Sequence, residues 1–142
     1  MGRALASLLP EGAVVALHGE LASGKTCFVR GAAAPLSSAE YVNSPTFTIV
    51  NEYLTPSGKV YHLDLYHLGC PEELADLGYE ELFDAPDGVC FVEWAERAGS
   101  LLPEVRVDVF FEHAGEDVRT IRIVDAGVLS VGWRARLETA IA

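Results

Sequence analysis

Basic residues are scarce in this sequence. Ten Lys and Arg residues face 21 Asp and Glu residues, which gives a formal net charge of −11. Affinity for nucleic acid depends mainly on Lys and Arg side chains that neutralise phosphates, and here these are scattered along the chain. The composition therefore argues against direct binding of RNA or DNA. We expect any link to nucleic acid to pass through a more basic partner.

Cysteine and long apolar runs are also scarce. The three cysteines form no Cys-x-x-Cys pair, and an odd number is typical of a reducing compartment. No apolar run reaches the length of a membrane span, and the first residues lack the pattern of a secretory signal. We therefore expect a cytoplasmic protein without a membrane segment, in which Cys27, Cys70 and Cys90 are small buried hydrophobic residues.

Hydrophobic residues, by contrast, are abundant. They make up half of the chain, which is sufficient for the core of one domain over residues 1–142. The runs 13–18 (AVVALH) and 88–94 (GVCFVEW) are continuously apolar, as in parallel strands buried on both faces. Turn sequences predict two antiparallel strand pairs, 47–54 with 59–66 and 105–113 with 118–124. Helices are predicted at 3–9, 25–34, 71–84 (with a break at Gly78) and 131–142.

Residues 19–26, GELASGKT, match the pattern GxxxxGK[ST] between the first buried strand and a predicted helix. Glycines allow the backbone N–H groups to turn toward phosphate oxygens, and the N-terminus of the following helix favours anions. Lys25 is predicted to reach the β- and γ-phosphates, and the Thr26 hydroxyl to bind Mg²⁺. The predicted nucleotide-binding residues here are Gly19, Glu20, Leu21, Ala22, Ser23, Gly24, Lys25, Thr26 and Cys27. The Glu20 side chain is expected to point away from the phosphates.

The order strand, glycine loop, helix and second buried strand predicts an α/β P-loop nucleotide-binding fold. We expect three layers around a mixed, mostly parallel sheet with added antiparallel strand pairs. The second buried strand ends in an acid, Glu93, as P-loop sites require on the metal side.

Two acids could act with this loop. Glu93 ends a continuous apolar run and is predicted to bind the metal together with Thr26. Asp64 lies in an alternating strand and is predicted to orient the attacking water or a metal-bound water. With Lys25, these acids form the predicted catalytic set. The alternatives are a solvated strand residue for Asp64 and a helix cap for Glu93.

Three further interpretations concern the ligands. His62, Asp64 and His67 could form a zinc cluster, although no cysteine accompanies them. Residues 43–48 (NSPTFT) occupy the place of a switch segment, where Thr46 could offer an oxygen to the metal or γ-phosphate. The alternative there is a Ser-Pro turn that leads into a strand. Since no Asn-Lys-x-Asp guanine motif is present, ATP is favoured over GTP.

The segments GELASGKT, SPTFTIVNEY, HLDLYHL, PEELADLGYEELF and VEWAER occur in the order and spacing of the TsaE (YjeE/YdiB) family, which this sequence resembles over residues 3–124. The resemblance implies Mg²⁺-dependent ATP binding and slow ATP hydrolysis. It also implies association with TsaD and TsaB, which transfer threonylcarbamoyl to tRNA, so that tRNA is reached only through these partners. By position, it implies phosphate and metal roles for Lys25, Thr26 and Glu93, catalysis by Asp64, nucleotide contact by Trp94 and a switch role for Thr46.

Two positions depart from the family pattern. Ala22 replaces an inner glycine of the loop, and a positive φ there would strain the loop by about 1 kcal/mol. His67 replaces the arginine that follows the family motif HxDxY, which puts any role of that arginine in question.

A small-molecule P-loop kinase and a nucleotide-controlled binding module remain the alternative functions. The Arg-rich lid typical of such kinases has no counterpart between Arg30 and Arg97.

Overall fold

Four strands at the centre of the structure run parallel. The computed structural model describes residues 1–33, 50–55, 58–84 and 87–142. Within these ranges one six-stranded sheet has the order β2-β3-β4-β1-β5-β6. Its strands are β1 (Val14–His18), β2 (Val50–Thr55), β3 (Gly58–Asp64), β4 (Gly88–Glu93), β5 (Val107–His113) and β6 (Arg119–Asp125).

The outer strands β2 and β6 pair antiparallel with β3 and β5, while β3, β4, β1 and β5 are mutually parallel. This confirms the mixed, mostly parallel sheet and both predicted antiparallel pairs. The apolar composition of β1 and β4 explains their central position, because only residues that tolerate burial on both faces suit the middle of a covered sheet.

Helices cover both faces of the sheet. They are α1 (Gly2–Ala6), α2 (Lys25–Ala33), α3 (Pro71–Asp76) and α4 (Trp133–Ile141), with 3₁₀ helices at Tyr79–Asp84 and Ala95–Leu101. Leu17 of β1 packs in a core with Phe28 of α2, to which α1 and α4 also contribute. Its neighbour Ala16 faces the opposite core, which contains Leu74 of α3. The alternation of β1 side chains between two cores confirms the three-layer arrangement.

The structure corrects several local predictions. The helix predicted at 71–84 ends at Asp76, and Gly78 (φ +71°) separates it from a 3₁₀ helix, as the predicted break required. The 3₁₀ helix Ala95–Leu101 was not predicted. Cys90 is buried as expected, but the prediction was wrong for Cys27 and Cys70, which are exposed. Cys27 lies in the first turn of α2, and Cys70 directly precedes α3. No helix in the described ranges is both long and apolar enough to span a bilayer.

The parallel strands bring distant residues to one edge of the sheet. In the strand register Leu17 lies opposite Glu93, and Glu93 lies opposite Asp64. The glycine loop follows β1 at this same edge. The carboxyl ends of parallel strands are where α/β folds bind ligands, so the loop and both acids meet where a site is expected.

Candidate functional site

The loop after β1 has a backbone that other residues would disturb. Gly19 has φ +152°, and a Cβ there would lie 2.6 Å from Ser23 Oγ and 2.9 Å from the Phe111 carbonyl oxygen. Gly24 has φ +109°. Both conformations favour glycine, which carries no Cβ. A glycine loop of this kind, directly before a helix, is suited to binding anions.

Ala22 lies in the same loop with φ +60°. This is the left-handed conformation in which the Cβ of an L-residue crowds the following carbonyl. The expected strain of about 1 kcal/mol therefore applies to this chain. Its cause is the methyl group of Ala22 where glycine would carry none.

Lys25, the first residue of α2, is folded back into the loop. Its Nζ donates to the carbonyl oxygens of Gly19 (2.6 Å) and Glu20 (2.7 Å) and to Ser23 Oγ (3.3 Å). The side chain is only 4% exposed, and Nζ lies 4.3 Å from the centre of the Trp94 ring. Burial lowers the pKa of Lys25 below its ordinary value of 10.5, while the carboxylates of Glu93, Glu96 and Asp64 act in the opposite direction. The loop atoms thus surround the buried ammonium group of Lys25.

Thr26 and Glu93 form a direct link between the loop and β4. Thr26 Oγ1 donates a hydrogen bond of 2.7 Å to Glu93 Oε1, and His62 Nε2 lies 2.8 Å from the same oxygen. Glu93 is 3% exposed and His62 is fully buried. A buried carboxylate therefore points at the hydroxyl that follows the loop lysine.

Asp64 lies beside Glu93 at the end of β3 and is half-buried. One of its oxygens, Oδ1, accepts a hydrogen bond of 3.0 Å from the Tyr66 backbone N–H. This bond fixes the carboxylate at the point where the strand turns away from the sheet. Asp64 is thereby oriented along the same edge as Glu93.

Trp94 has an unusual backbone for an aromatic residue, with φ +57° and ψ +42°. Non-glycine residues in this region are strained, and such strain is concentrated at functional sites. The conformation directs the ring over Lys25 and places it 5.0 Å from the ring of Tyr66. Trp94 thus covers the loop lysine and packs in turn against Tyr66.

These residues enclose one open pocket of about 530 Å³. It collects most of the predicted site residues, namely Leu21, Ala22, Ser23, Gly24, Lys25, Thr26, Cys27, Asp64, Glu93 and Trp94. Gly19 and Glu20 contact Lys25 through their carbonyl oxygens, and the Glu20 side chain is exposed. Thr46 lies outside the described residues.

The comparison with protein-family models gives the decisive match. The model of the family described as threonylcarbamoyl adenosine biosynthesis protein TsaE matches residues 1–121. The chain belongs to the TsaE family. Membership of this family supports a role in tRNA threonylcarbamoyladenosine biosynthesis, and the P-loop fold is of a kind common among nucleotide hydrolases.

Individual TsaE relatives cover most of the chain. The chain is 40% identical over 122 residues to the tRNA threonylcarbamoyladenosine biosynthesis protein TsaE of Bacillus subtilis, covering 86% of this chain and 75% of that protein. It is 41% identical over 124 residues to the TsaE of Treponema pallidum, and the match covers 86% of this chain and 89% of that protein. A crystal structure of YdiB from Bacillus subtilis superposes with a TM-score of 0.80 at 31% identity, over 99% of this chain and 86% of that one.

The oxygen atoms of this TsaE-family site suit magnesium. Mg²⁺ prefers oxygen ligands at about 2.1 Å in an octahedron, so neighbouring ligand oxygens lie about 3 Å apart. The 2.7 Å between Thr26 Oγ1 and Glu93 Oε1 is compatible with that spacing. The zinc interpretation is not realised, because within the described ranges no three His, Cys, Asp or Glu side chains form a metal-binding group. His62 contacts Glu93 instead, and His67 is exposed.

Three neighbours of the site were not predicted to act with the nucleotide. Tyr66 and His67 line the pocket, and His62 lies behind Glu93. The sequence indicated His62 and His67 only as possible zinc ligands, although the two-residue period of a strand puts His62, Asp64 and Tyr66 on one face. The contact of His62 with Glu93 had no signal in the sequence, because it depends on the register between β3 and β4.

Proposed function

We propose that this chain is a Mg²⁺-dependent ATP-binding protein with slow ATPase activity, accessory to the TsaD–TsaB complex that forms N6-threonylcarbamoyladenosine in tRNA. The observation that carries the proposal is the convergence of Lys25, Thr26 and Glu93 at the end of β1. A buried ammonium group, a hydroxyl and a carboxylate are the groups that a nucleotide phosphate and its metal require.

Each residue has a distinct task in this proposal. Lys25 exchanges its carbonyl partners for phosphate oxygens, which stabilise the charge that burial disfavours. Thr26 and Glu93 hold Mg²⁺, and Asp64 orients the attacking water. When bound, Mg²⁺ neutralises charge that develops on the phosphates. Trp94, which lies over the ammonium group, shields the lysine from water.

Family membership and net charge support the proposed partners. A net charge of −11 opposes direct binding of tRNA, so the tRNA is held by the partner complex. The ATPase acts on that complex and does not perform the transfer itself. We place the protein in the cytoplasm, where this complex acts.

An Asp64→Asn variant tests the catalytic part of the proposal. Phosphate release from ATP should fall by about 100-fold or more, because general-base or water-orienting groups contribute about 10²–10⁴. Binding of a fluorescent ATP analogue should change by less than about threefold, since Lys25 and the loop remain. The matched control is Asp76→Asn, on the exposed end of α3, which should leave both quantities unchanged.

The alternatives give different results in the same assay. A nucleotide-controlled binding module would bind the analogue, but Asp64→Asn would alter no measurable turnover. A small-molecule kinase would transfer the γ-phosphate to an added acceptor and leave little free phosphate. Either outcome would contradict the proposed ATPase.

A further inference from the structure

His62 is a polar side chain in an unusual position. It is fully buried in β3, and its Nε2 lies 2.8 Å from Glu93 Oε1. Its other ring nitrogen, Nδ1, is buried and has no hydrogen-bond partner within the described part of the chain. A buried polar atom without a partner lowers stability, so packing alone does not account for a histidine here.

The hydrogen-bond chemistry fixes the direction of the contact. An ionised carboxylate only accepts hydrogen bonds, so the proton must be on Nε2 of His62. In the neutral ring this tautomer leaves Nδ1 as a bare acceptor, which is the atom found without a partner. The ring therefore gives up one hydrogen bond while making the other to Glu93.

The strand register explains how the ring reaches this carboxylate. His62 lies opposite Phe91, and Asp64 lies opposite Glu93. His62 and Glu93 are thus diagonal neighbours on the face that carries Phe28 of α2. From this position the ring approaches Glu93 from the side of the core, while Thr26 approaches from the side of the loop.

Glu93 Oε1 is consequently held by two donors, Thr26 Oγ1 at 2.7 Å and His62 Nε2 at 2.8 Å. Two donors on one oxygen restrict rotation of the carboxylate. Outer partners of this kind orient metal-binding side chains, and their loss commonly lowers metal affinity by about 10–100-fold.

We propose that His62 is a positioning residue, whose hydrogen bond keeps the Glu93 carboxylate beside Thr26 in the orientation that binds Mg²⁺. This inference rests on the proposed function, because it concerns the metal that accompanies the nucleotide. His62 itself touches neither nucleotide nor metal. Its contribution is to Mg²⁺ affinity and not to phosphate binding.

Two substitutions separate this role from a purely structural one. His62→Leu has a similar volume and no donor, whereas His62→Gln can present an amide N–H near the position of Nε2. His113→Leu, at the exposed end of β5, is the matched control. The affinity for a non-hydrolysable ATP analogue is measured by calorimetry with Mg²⁺ and with a chelator, and the ratio of the two affinities reports metal coupling.

The proposal expects His62→Leu to reduce this ratio by about tenfold or more and to leave the affinity in chelator within about twofold. The His62→Gln variant should have a ratio within about threefold of that of the unmodified protein. The His113→Leu control should have the same ratio as the unmodified protein. In the unmodified protein, ¹⁵N NMR of the His62 ring should show a proton on Nε2. Circular dichroism establishes that each variant is folded.

Other outcomes overturn the proposal in distinguishable ways. If the unmodified protein shows no effect of Mg²⁺ on nucleotide affinity, the proposed function fails, and this inference fails with it. If the unmodified protein shows the effect and folded His62→Leu retains the full ratio, only the role of His62 is wrong. Equal loss in the Leu and Gln variants, or a ring with no proton on Nε2, would also reject the positioning role.

Discussion

The candidate site has two halves that are built differently. The loop half, residues 19–25, is one continuous stretch, and Lys25 bonds carbonyls only five and six residues away. The strand half joins residues far apart in the chain, since Thr26 and Glu93 are 67 positions apart and His62 and Glu93 are 31 apart. The loop half depends on local backbone conformation. The strand half depends on the register of three parallel strands.

The two halves serve different tasks, since the loop half binds phosphate and the strand half binds the metal in the proposed function. The loop half holds the positive charge of Lys25 at a helix N-terminus, and both favour phosphate. The strand half supplies the carboxylates, and it exists only when β1, β3 and β4 are in register. Substitutions in one half should therefore affect phosphate affinity, and those in the other should affect metal dependence.

The largest effect is expected for Lys25→Ala. The substitution removes the charge around which the loop carbonyls converge, and loss of one such electrostatic group costs about 10²–10³ in rate. ATP hydrolysis should become undetectable against background, and affinity for a fluorescent ADP analogue should fall both with and without Mg²⁺. Phosphate release and fluorescence titration measure the two quantities. Unchanged affinity in the absence of Mg²⁺ would show that the loop half does not bind phosphate.

Glu93→Gln should lower the Mg²⁺ dependence of nucleotide affinity and leave phosphate binding by the loop half intact. The amide keeps the shape of the side chain but lacks the charge that Mg²⁺ favours. The ratio of nucleotide affinities with Mg²⁺ and with chelator should therefore fall by more than the loss of about tenfold expected for His62→Leu. Affinity in chelator should stay within about twofold of the unmodified protein. Calorimetry with and without Mg²⁺ measures both. An equal loss in chelator would mean that the two halves are not separable.

The pH dependence of nucleotide affinity examines Lys25 further. Since its pKa lies below 10.5, its charged fraction falls at lower pH than that of an exposed lysine. Bound phosphate favours the charged form, so affinity is constant below the pKa of the free protein and declines above it, by at most about tenfold per pH unit. Fluorescence titration of ADP from neutral pH up to the ordinary lysine pKa of 10.5 measures this decline. A Lys25→Arg variant keeps its charge over this range and should show a flatter profile.

The smallest effect concerns Ala22. Ala22→Gly relieves about 1–2 kcal/mol of left-handed strain and loses about 0.4–1 kcal/mol through greater freedom of the unfolded chain. A net gain of about 0.5 kcal/mol raises Tm by about 1–2 °C. Ala135→Gly, at an exposed position in the right-handed helix α4, should instead lower Tm by about 3 °C. Scanning calorimetry compares the two, and a decrease of similar size in both would exclude strain at Ala22.

The two halves also differ in how far the sequence predicts them. The glycine pattern, the apolar strand before it and the helix after it lie within one stretch, so the loop and the left-handed position at Ala22 could be anticipated. Glu93 could be placed at a strand end from the apolar run before it. The neighbours of Glu93 could not, because pairing of His62 with this carboxylate requires the register of β3 on β4.

Other features escaped prediction for related reasons. The left-handed conformation of Trp94 contradicts the local preference of tryptophan, and tertiary contacts with Lys25 and Tyr66 accompany it. Burial of the cysteines was inferred from residue type, which does not indicate which side of a helix faces solvent. Cys27 is exposed although Phe28, the next residue, is buried.

The proposed accessory ATPase function is tested by measuring ATP hydrolysis by the purified protein, alone and with purified TsaD–TsaB complex. We predict slow Mg²⁺-dependent hydrolysis that rises when the partners are added and disappears in Lys25→Ala. ATP binding without any change in turnover on addition of the partners would contradict the accessory ATPase function. The phosphate-binding role of the loop would then stand without it.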